Sequence, residues 1–265
     1  MKFKDIFVLW QREMTMKDVG IRKVSRMTTV QKILENLREY VKETKNPVLP
    51  TEDDLSAQLG VSRLTVREAI TVLEREGVVS RVQGKGTLIN QFVTRLENRI
   101  DIGSDIEGCL KQNGYAVRFE VVDFQYRLAN AIEASKLGIT IEENLLVIKK
   151  LLYANDMVAA VYIDRIPEKC IKHKNVEAKD LEPTIFPVVE QICQCAISHD
   201  VVEMFPIGAD EILAKDFSVE LGKALLGFHV LEYAANSTVL MYNTEYYTDQ
   251  FISFTLCRSV AYKGW

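Results

Sequence analysis

Three capped helical patterns followed by a glycine-punctuated pair of short β runs fill the stretch from Thr28 to Ile89, and no other feature constrains the fold as much. Val30, Ile33, Leu34, Leu37 and Val41 recur at the 3, 4, 7 spacing of an amphipathic helix, which Lys45-Asn46-Pro47 stops. Thr51 predicts the N-cap of a second helix. Asp54 lies three residues on, the acids Glu52 to Asp54 sit at the positive end of the helix dipole, and Gly60 closes it. A third helix is expected from Ser62 to Glu76, ending at Gly77. "VVSRVQGKGTLI" then reads as two strands turning at Gly84 to Gly86. Three helices and a hairpin on this scale describe a winged helix-turn-helix.

The third helix contains "VSRLTVREAI", Val61 to Ile70. Val66, Ala69, Ile70 and Leu73 form its apolar stripe, which turns Ser62, Arg63 and Arg67 outward. Arg63 and Arg67 stand one turn apart, with no acid at 70 or 71 to neutralise either. Like charges at this spacing cost an isolated helix about 0.2–0.5 kcal/mol, so the pair is expected to face something anionic. The plain alternative sends Arg67 to Glu74, but two turns separate them by about 10 Å along the axis. A DNA major groove accepts an α-helix, and arginine grips guanine or phosphate with two parallel hydrogen bonds. Lys85, at the tip of the glycine turn, is placed to reach an adjacent groove or a phosphate. Net charge does not make this argument: 17 basic residues stand against 12 acidic ones up to residue 95, but nine against nine from Met27 to Asn90. Placement carries it.

Boundaries follow from the same reading. Residues 1–26 form an N-terminal arm of unknown role, 27–92 the winged helix-turn-helix, 93–103 a linker, and 104–265 a second domain. There the pattern predicts a helix over 104–113, a strand over 117–127, a helix over 130–137, a hairpin turning at Asn155-Asp156, a helix toward Cys193, a strand to Pro206, a helix over 209–217, and a second hairpin turning near Asn236-Ser237. One more strand is expected in the same stretch, "LLGFHVLEYAANSTVLMYNTEYYTDQFISFTLCRS". "YANDMVAAVY" and "YAANSTVLMY" resemble each other in length and turn position. Two such hairpins make an antiparallel sheet with helices packed on one face, an α+β domain. Lys150, Tyr153, Asp164, Tyr242, Glu245 and Tyr247 are polar or amphipathic residues on those hairpins and are the candidates for a ligand pocket; packing under helices is the alternative for each tyrosine.

Five cysteines in no framework spacing suit a reducing cytoplasm. Cys193, Cys195 and His199 lack a fourth metal ligand, and their neighbours are apolar, so buried thiols are expected and no metal or cofactor. No run of about 18 uncharged apolar residues is present, and the start of the chain lacks a secretory cleavage pattern, so neither membrane nor export is expected. No nucleophile–base pair or phosphate-cradling loop stands out, so no catalytic residue is assigned; an enzyme acting on a small metabolite through the second domain is the rival reading.

"LPTEDDLSAQLGVSRLTVREAITVLEREGVVSRVQGKGTLI" resembles the DNA-binding domain of GntR-family transcription regulators, whose pattern is close to LPSERELAxxLGVSRxTVRxALxxLxxEGxxxxxxGxGTxV. The resemblance implies that Ser62, Arg63, Thr65 and Arg67 contact operator DNA and that Gly84 with Lys85 forms the wing contact. Asp53 stands where the family usually has Arg, and Leu64 where it has a polar or small residue. The second half, through "ASKLGITIEENLLVIKKLLYANDMVAAVYIDRIP" and "YYTDQFISFTLCR", is similar to the UTRA effector domain of the HutC-type branch, which implies a chorismate lyase-like fold. The family often has Arg where Lys150 stands; Lys keeps the cation but loses the two-pronged geometry. Together these imply a cytoplasmic, ligand-responsive repressor whose partners are double-stranded operator DNA and a small effector. It is expected to be a homodimer, because paired heads read a palindrome.

Overall fold

The computed structural model describes residues 28–103, 105–173, 181 and 185–258. The arm expected over 1–26 therefore lies outside the described residues. The chain divides into two compact units, Met1–Arg95 with Cys257–Trp265, and Leu96–Leu256. The stretch expected as a linker is split between them. Val93–Arg95 is a 3-10 turn, whereas Arg99 forms a parallel bridge with Thr255 and Asn98 accepts strain at φ 45°.

The first unit contains α1 (Thr29–Glu43), α2 (Glu52–Leu59), α3 (Arg63–Arg75) and the hairpin β1 (Val79–Val82) and β2 (Gly86–Ile89). Each helix starts at the polar residue that local chemistry selects. Thr28 and Gln31 form a reciprocal capping box, Thr51 Oγ1 accepts from the Asp54 amide, and Ser62 Oγ from the Thr65 amide. Gly60, at φ 65°, turns the chain left-handed between α2 and α3. Ile33, Leu34, Leu37 and Val41 of α1 pack with Val66, Ala69, Ile70 and Leu73 of α3, all buried. Burial of one face of α3 fixes which residues it leaves in solvent.

In the second unit α4 (Ile106–Gln112) is followed by β3 (Val117–Leu128), α5 (Ala131–Leu137), β4 (Asn144–Ala154), β5 (Met157–Pro167), α6 (Phe186–Cys193), β6 (Ile197–Gly208), α7 (Glu211–Phe217), β7 (Ala224–Ala234) and β8 (Val239–Tyr247). The sheet is fully antiparallel in the order β3-β4-β5-β8-β7-β6. The run strand, short helix, hairpin occurs twice: β3-α5-β4-β5, then β6-α7-β7-β8. The two copies meet where β5 pairs with β8.

Two expectations are corrected here. Helices cover both faces of the sheet, not one. Leu110 of α4 and Val189 and Ile192 of α6 pack on the face carrying Ile148, Leu152 and Phe228, while α5 and α7 pack on the face carrying Val147, Leu151 and Val161. The strands are correspondingly apolar on both sides. The extra strand expected after β8 does not form: both neighbours of β8 are already in place, so Gln250 to Arg258 runs as irregular chain whose one bridge is Thr255 with Arg99. Phe251 and Phe254 there pack into the core instead.

Candidate nucleic-acid interface and ligand cavity

On α3 the exposed side carries Ser62, Arg63, Leu64 and Arg67, with Thr65 half-buried. The expectation that both arginines lack an internal partner is overturned. Arg67 Nε and its terminal nitrogen donate to both oxygens of Glu52, at 2.7–3.2 Å, and Arg63 Nε lies 2.7 Å from Asp53 Oδ1. The turn at Gly60 lays the acidic first turn of α2 beside the start of α3, a tertiary contact that helical spacing cannot reveal. Glu74, the alternative partner for Arg67, is engaged by Arg81 of β1 at 2.5 Å. Glu52 is held below the usual carboxylate range by its hydrogen bonds to Arg67.

These pairs are solvent-facing. The Arg63 and Arg67 side chains remain 60% and 55% exposed. Pairs this exposed are weak, so a phosphate or a guanine edge can take the carboxylate's place. Ser62 Oγ and Thr65 Oγ1 lie 2.7 Å apart at the cap, so Ser62 also holds the helix start. Gly84 (φ 77°) and Gly86 (φ 84°) make the turn that exposes Lys85 at the hairpin tip.

The second unit has a half-open cavity of about 460 Å³ against one sheet face, between α4 and α6. Alternation along the strands decides what enters it. Lys150 of β4 faces Tyr162 of β5, which faces Glu245 of β8, which faces Phe228 of β7. One step along, Asp164 faces Asn243, which faces Val230. Of the six pocket candidates, Lys150, Asp164, Glu245 and Tyr247 line the cavity.

Tyr153 and Tyr242 do not; they project from the opposite face. Tyr153 stacks under the Arg118 guanidinium, 3.4 Å from its ring centre, and Tyr242 is buried with its hydroxyl 2.8 Å from His229 Nδ1. For Tyr242 the cause is one residue. Tyr153 pairs with Val158 in the first hairpin, whereas Tyr233 pairs with Val239 in the second, so the second turn is one residue longer. That extra residue inverts the side-chain parity of β8, and Glu245 rather than Tyr242 becomes the counterpart of a cavity residue on β5.

Glu232, Asn243 and Asp200 also line the cavity and were missed by sequence reasoning; counting cross-strand pairs outward from the Asn236-Ser237 turn would have found the first two. Tyr247 donates to Glu245 Oε2 at 2.5 Å and Asn243 Nδ2 to Glu245 Oε1 at 3.0 Å. Burial, reinforced by Asp200 and Glu245, pushes Glu232 up to about 8; burial likewise carries Glu245 to about 7, against the hydrogen bond from Tyr247. Asp164 is also raised by burial, opposed by Lys150. Lys150 Nζ lies 3.2 Å from Asp164 Oδ2, an ion pair that opposes the burial of the carboxylate. Among the described residues no cluster of His, Cys, Asp or Glu could hold a metal ion, and no helix is long and apolar enough to cross a membrane.

Comparison with known proteins agrees with both units. Residues 29–89 match the family described as bacterial regulatory proteins, gntR family, and residues 112–251 match the UTRA domain. The HTH-type transcriptional repressor NagR of Bacillus subtilis is 24% identical over 83% of this chain and 90% of its own length. The mannosyl-D-glycerate transport/metabolism system repressor MngR of Escherichia coli is 21% identical over 85% of this chain and 94% of its own. In fold, a possible transcriptional regulator, YydK, from Bacillus subtilis superposes with a TM-score of 0.73 at 18% identity, over 88% of this chain and all of that one. The chain belongs to the gntR family of bacterial transcription regulators, in the branch whose helix-turn-helix head is followed by a UTRA domain.

Proposed function

We propose that the protein is a repressor that binds operator DNA through α3 and the β1–β2 wing, and releases or tightens that grip when the cavity of its second unit takes up a small metabolite. The observation that carries the DNA reading is the exposed Ser62, Arg63 and Arg67, with half-buried Thr65 beside them at the start of α3 and Lys85 at the wing tip. Arg63 and Arg67 exchange their carboxylate partners for base edges or phosphates, while Gly84 permits close approach of the wing backbone. A single head reads few base pairs, so the protein acts as a homodimer on a palindrome. Support for self-association comes from the sheet edges: β3 and β6 each run twelve residues, and β6 leaves Val201 and Met204 in solvent. A long edge strand presents a row of unpaired backbone N–H and C=O groups that a second copy can pair with.

Ligand control requires that the metabolite favour one of two states of the protein; tight binding alone shifts nothing. In this reading Lys150, Asp164, Glu245 and Tyr247 contact the effector, and Tyr153 and Tyr242 are framework. Two carboxyls titrating near neutrality are also what general acid–base catalysis needs, and turnover of a candidate metabolite would carry the enzyme reading instead.

Titration of a labelled promoter fragment from beside the gene tests the DNA reading. The expected result is two chains per palindromic site, with R63A and R67A each losing about 1–3 kcal/mol of binding. Folded variants that bind like the parent would reject it.

A further inference from the structure

We propose that the cavity accepts a small organic cation, an ammonium group joined to an apolar or aromatic body, in preference to a phosphate or carboxylate. This rests on the reading of the cavity as the effector site and specifies what it takes. The first observation is charge. Asp164, Asp200, Glu232 and Glu245 reach the cavity from four different strands, and Lys150 is its one basic lining residue among those described.

The second is the sense of the unmet hydrogen bonds. Asp164 is 0% exposed, with the Lys150 ammonium 3.2 Å from Oδ2 and no hydrogen-bond partner on Oδ1; Glu232 is 1% exposed and its Oε1 has no partner; Asn243, also buried, leaves its Oδ1 unmet. In their ionised forms these carboxylates, like the amide oxygen, are acceptors, so a molecule that brings donors and a positive charge completes the site. An ammonium brings three together with a charge, whereas a phosphate or carboxylate brings only more acceptors and more negative charge.

The third is the wall. Tyr247 stands edge-on to Tyr162 at 6.0 Å and to Phe254 at 4.8 Å, and Phe228 lies 5.4 Å from Tyr247. Aromatic faces around carboxylates attract organic cations and exclude water. A metal ion would need a tight cluster of ligands, which the described residues do not provide. Because burial holds Glu232 and Glu245 partly protonated near neutral pH, a cation expels those protons on entry. Asp200 of β6, Asp164 of β5 and Lys150 of β4 face the same space from the sheet, and Asp105 and Glu107 from α4; the last two are occupied, capping Gly108 and pairing with Lys111.

The test uses the full chain and two probe sets, each with a cationic, a neutral and an anionic member on one body: benzylammonium, benzyl alcohol and benzoate, then glucosamine, glucose and glucose 6-phosphate. Melting shifts and calorimetry are read at about pH 8, where the acids are most ionised. The expected result is that the ammonium member of at least one set binds about tenfold or more tightly than its neutral and anionic counterparts. Its affinity should rise from about pH 6 to pH 8, and E232Q or E245Q should remove most of the preference. K150M provides a further arm: it abolishes binding of an anion held by the lysine, whereas an ammonium, no longer repelled by the Lys150 charge, binds more tightly. Tighter binding of benzoate or glucose 6-phosphate, preference for the neutral member, or no response to either ammonium at millimolar concentration overturns the proposal. Binding of the unliganded chain to its promoter fragment is measured in parallel. Its absence defeats the regulator reading, whereas anion-controlled DNA binding defeats only the choice of ligand class.

Discussion

Asp53→Asn should tighten operator binding. Arg63 Nε sits 2.7 Å from the Asp53 carboxylate, and both side chains are more than half exposed, so the pair stands in solvent and contributes ~0.2–1 kcal/mol. DNA must break it before Arg63 can be used. Removing the charge abolishes that cost, which at 1.4 kcal/mol per tenfold corresponds to a Kd lower by a factor of about 1.4 to 5. Loss of a carboxylate facing the duplex adds to the gain at low ionic strength, and the advantage shrinks as the Debye length falls from about 10 Å at 0.1 M salt to about 3 Å at 1 M. Fluorescence anisotropy of a labelled promoter duplex, read for D53N, R63A and the double variant, apportions the effect. The benefit should shrink in the R63A background to the salt-sensitive part alone, because no guanidinium remains to be freed. Weaker binding by folded D53N, or a gain of equal size without Arg63, would refute the reasoning. Because Asp53 also faces the α2 dipole, D53N is expected to melt slightly earlier, by a few tenths of a kcal/mol, so binding is compared well below the transition.

Other perturbations address the remaining claims. Glu133, buried in α5, accepts from Arg127 and Arg165 at 2.7 Å and from the Asn130 amide at 3.0 Å. These bonds outweigh its burial and hold it at about 2, below the ordinary 4.5. Its contribution is present above pH 4.5 and disappears as pH falls toward 2, and E133Q should cost about 3 kcal/mol at pH 7 in a denaturant melt, with the difference closing in acid. Glu232 has the opposite sign: its folded value near 8 exceeds 4.5, so stability declines as pH rises through that interval. E232Q should melt like the parent at about pH 4 and later than it at pH 8. Leu64 is 64% exposed on the reading side of α3, suited to a thymine methyl. Selection from randomised duplexes should show preference relaxed at one base position in L64S, and unchanged selection would assign Leu64 no reading role.

What local chemistry determines was legible in the chain. The caps at Thr28, Thr51 and Ser62, the left-handed Gly60, the Asn155 turn and the apolar stripe of α3 each act within a few residues, and the head and most elements of the second unit follow from them. What failed depends on tertiary neighbours or on parity. Glu52 and Asp53 meet Arg67 and Arg63 only because a turn folds one helix start against another. Tyr242 faces away from the cavity because a single added turn residue flips its strand, although the two hairpin sequences align without a gap. Glu232 looks like an ordinary polar strand residue; only its register with Asp200 and Met241 places it in a buried, acidic space.

The most direct measurement of the central claim is the slope of log K against log salt for a promoter duplex, in the parent, R67A and K85A. If Arg67 and Lys85 neutralise phosphates, binding falls steeply with salt and each variant lowers the slope by about one unit. A shallow dependence, or slopes identical in all three folded proteins, would contradict the assignment of α3 and the wing to the duplex.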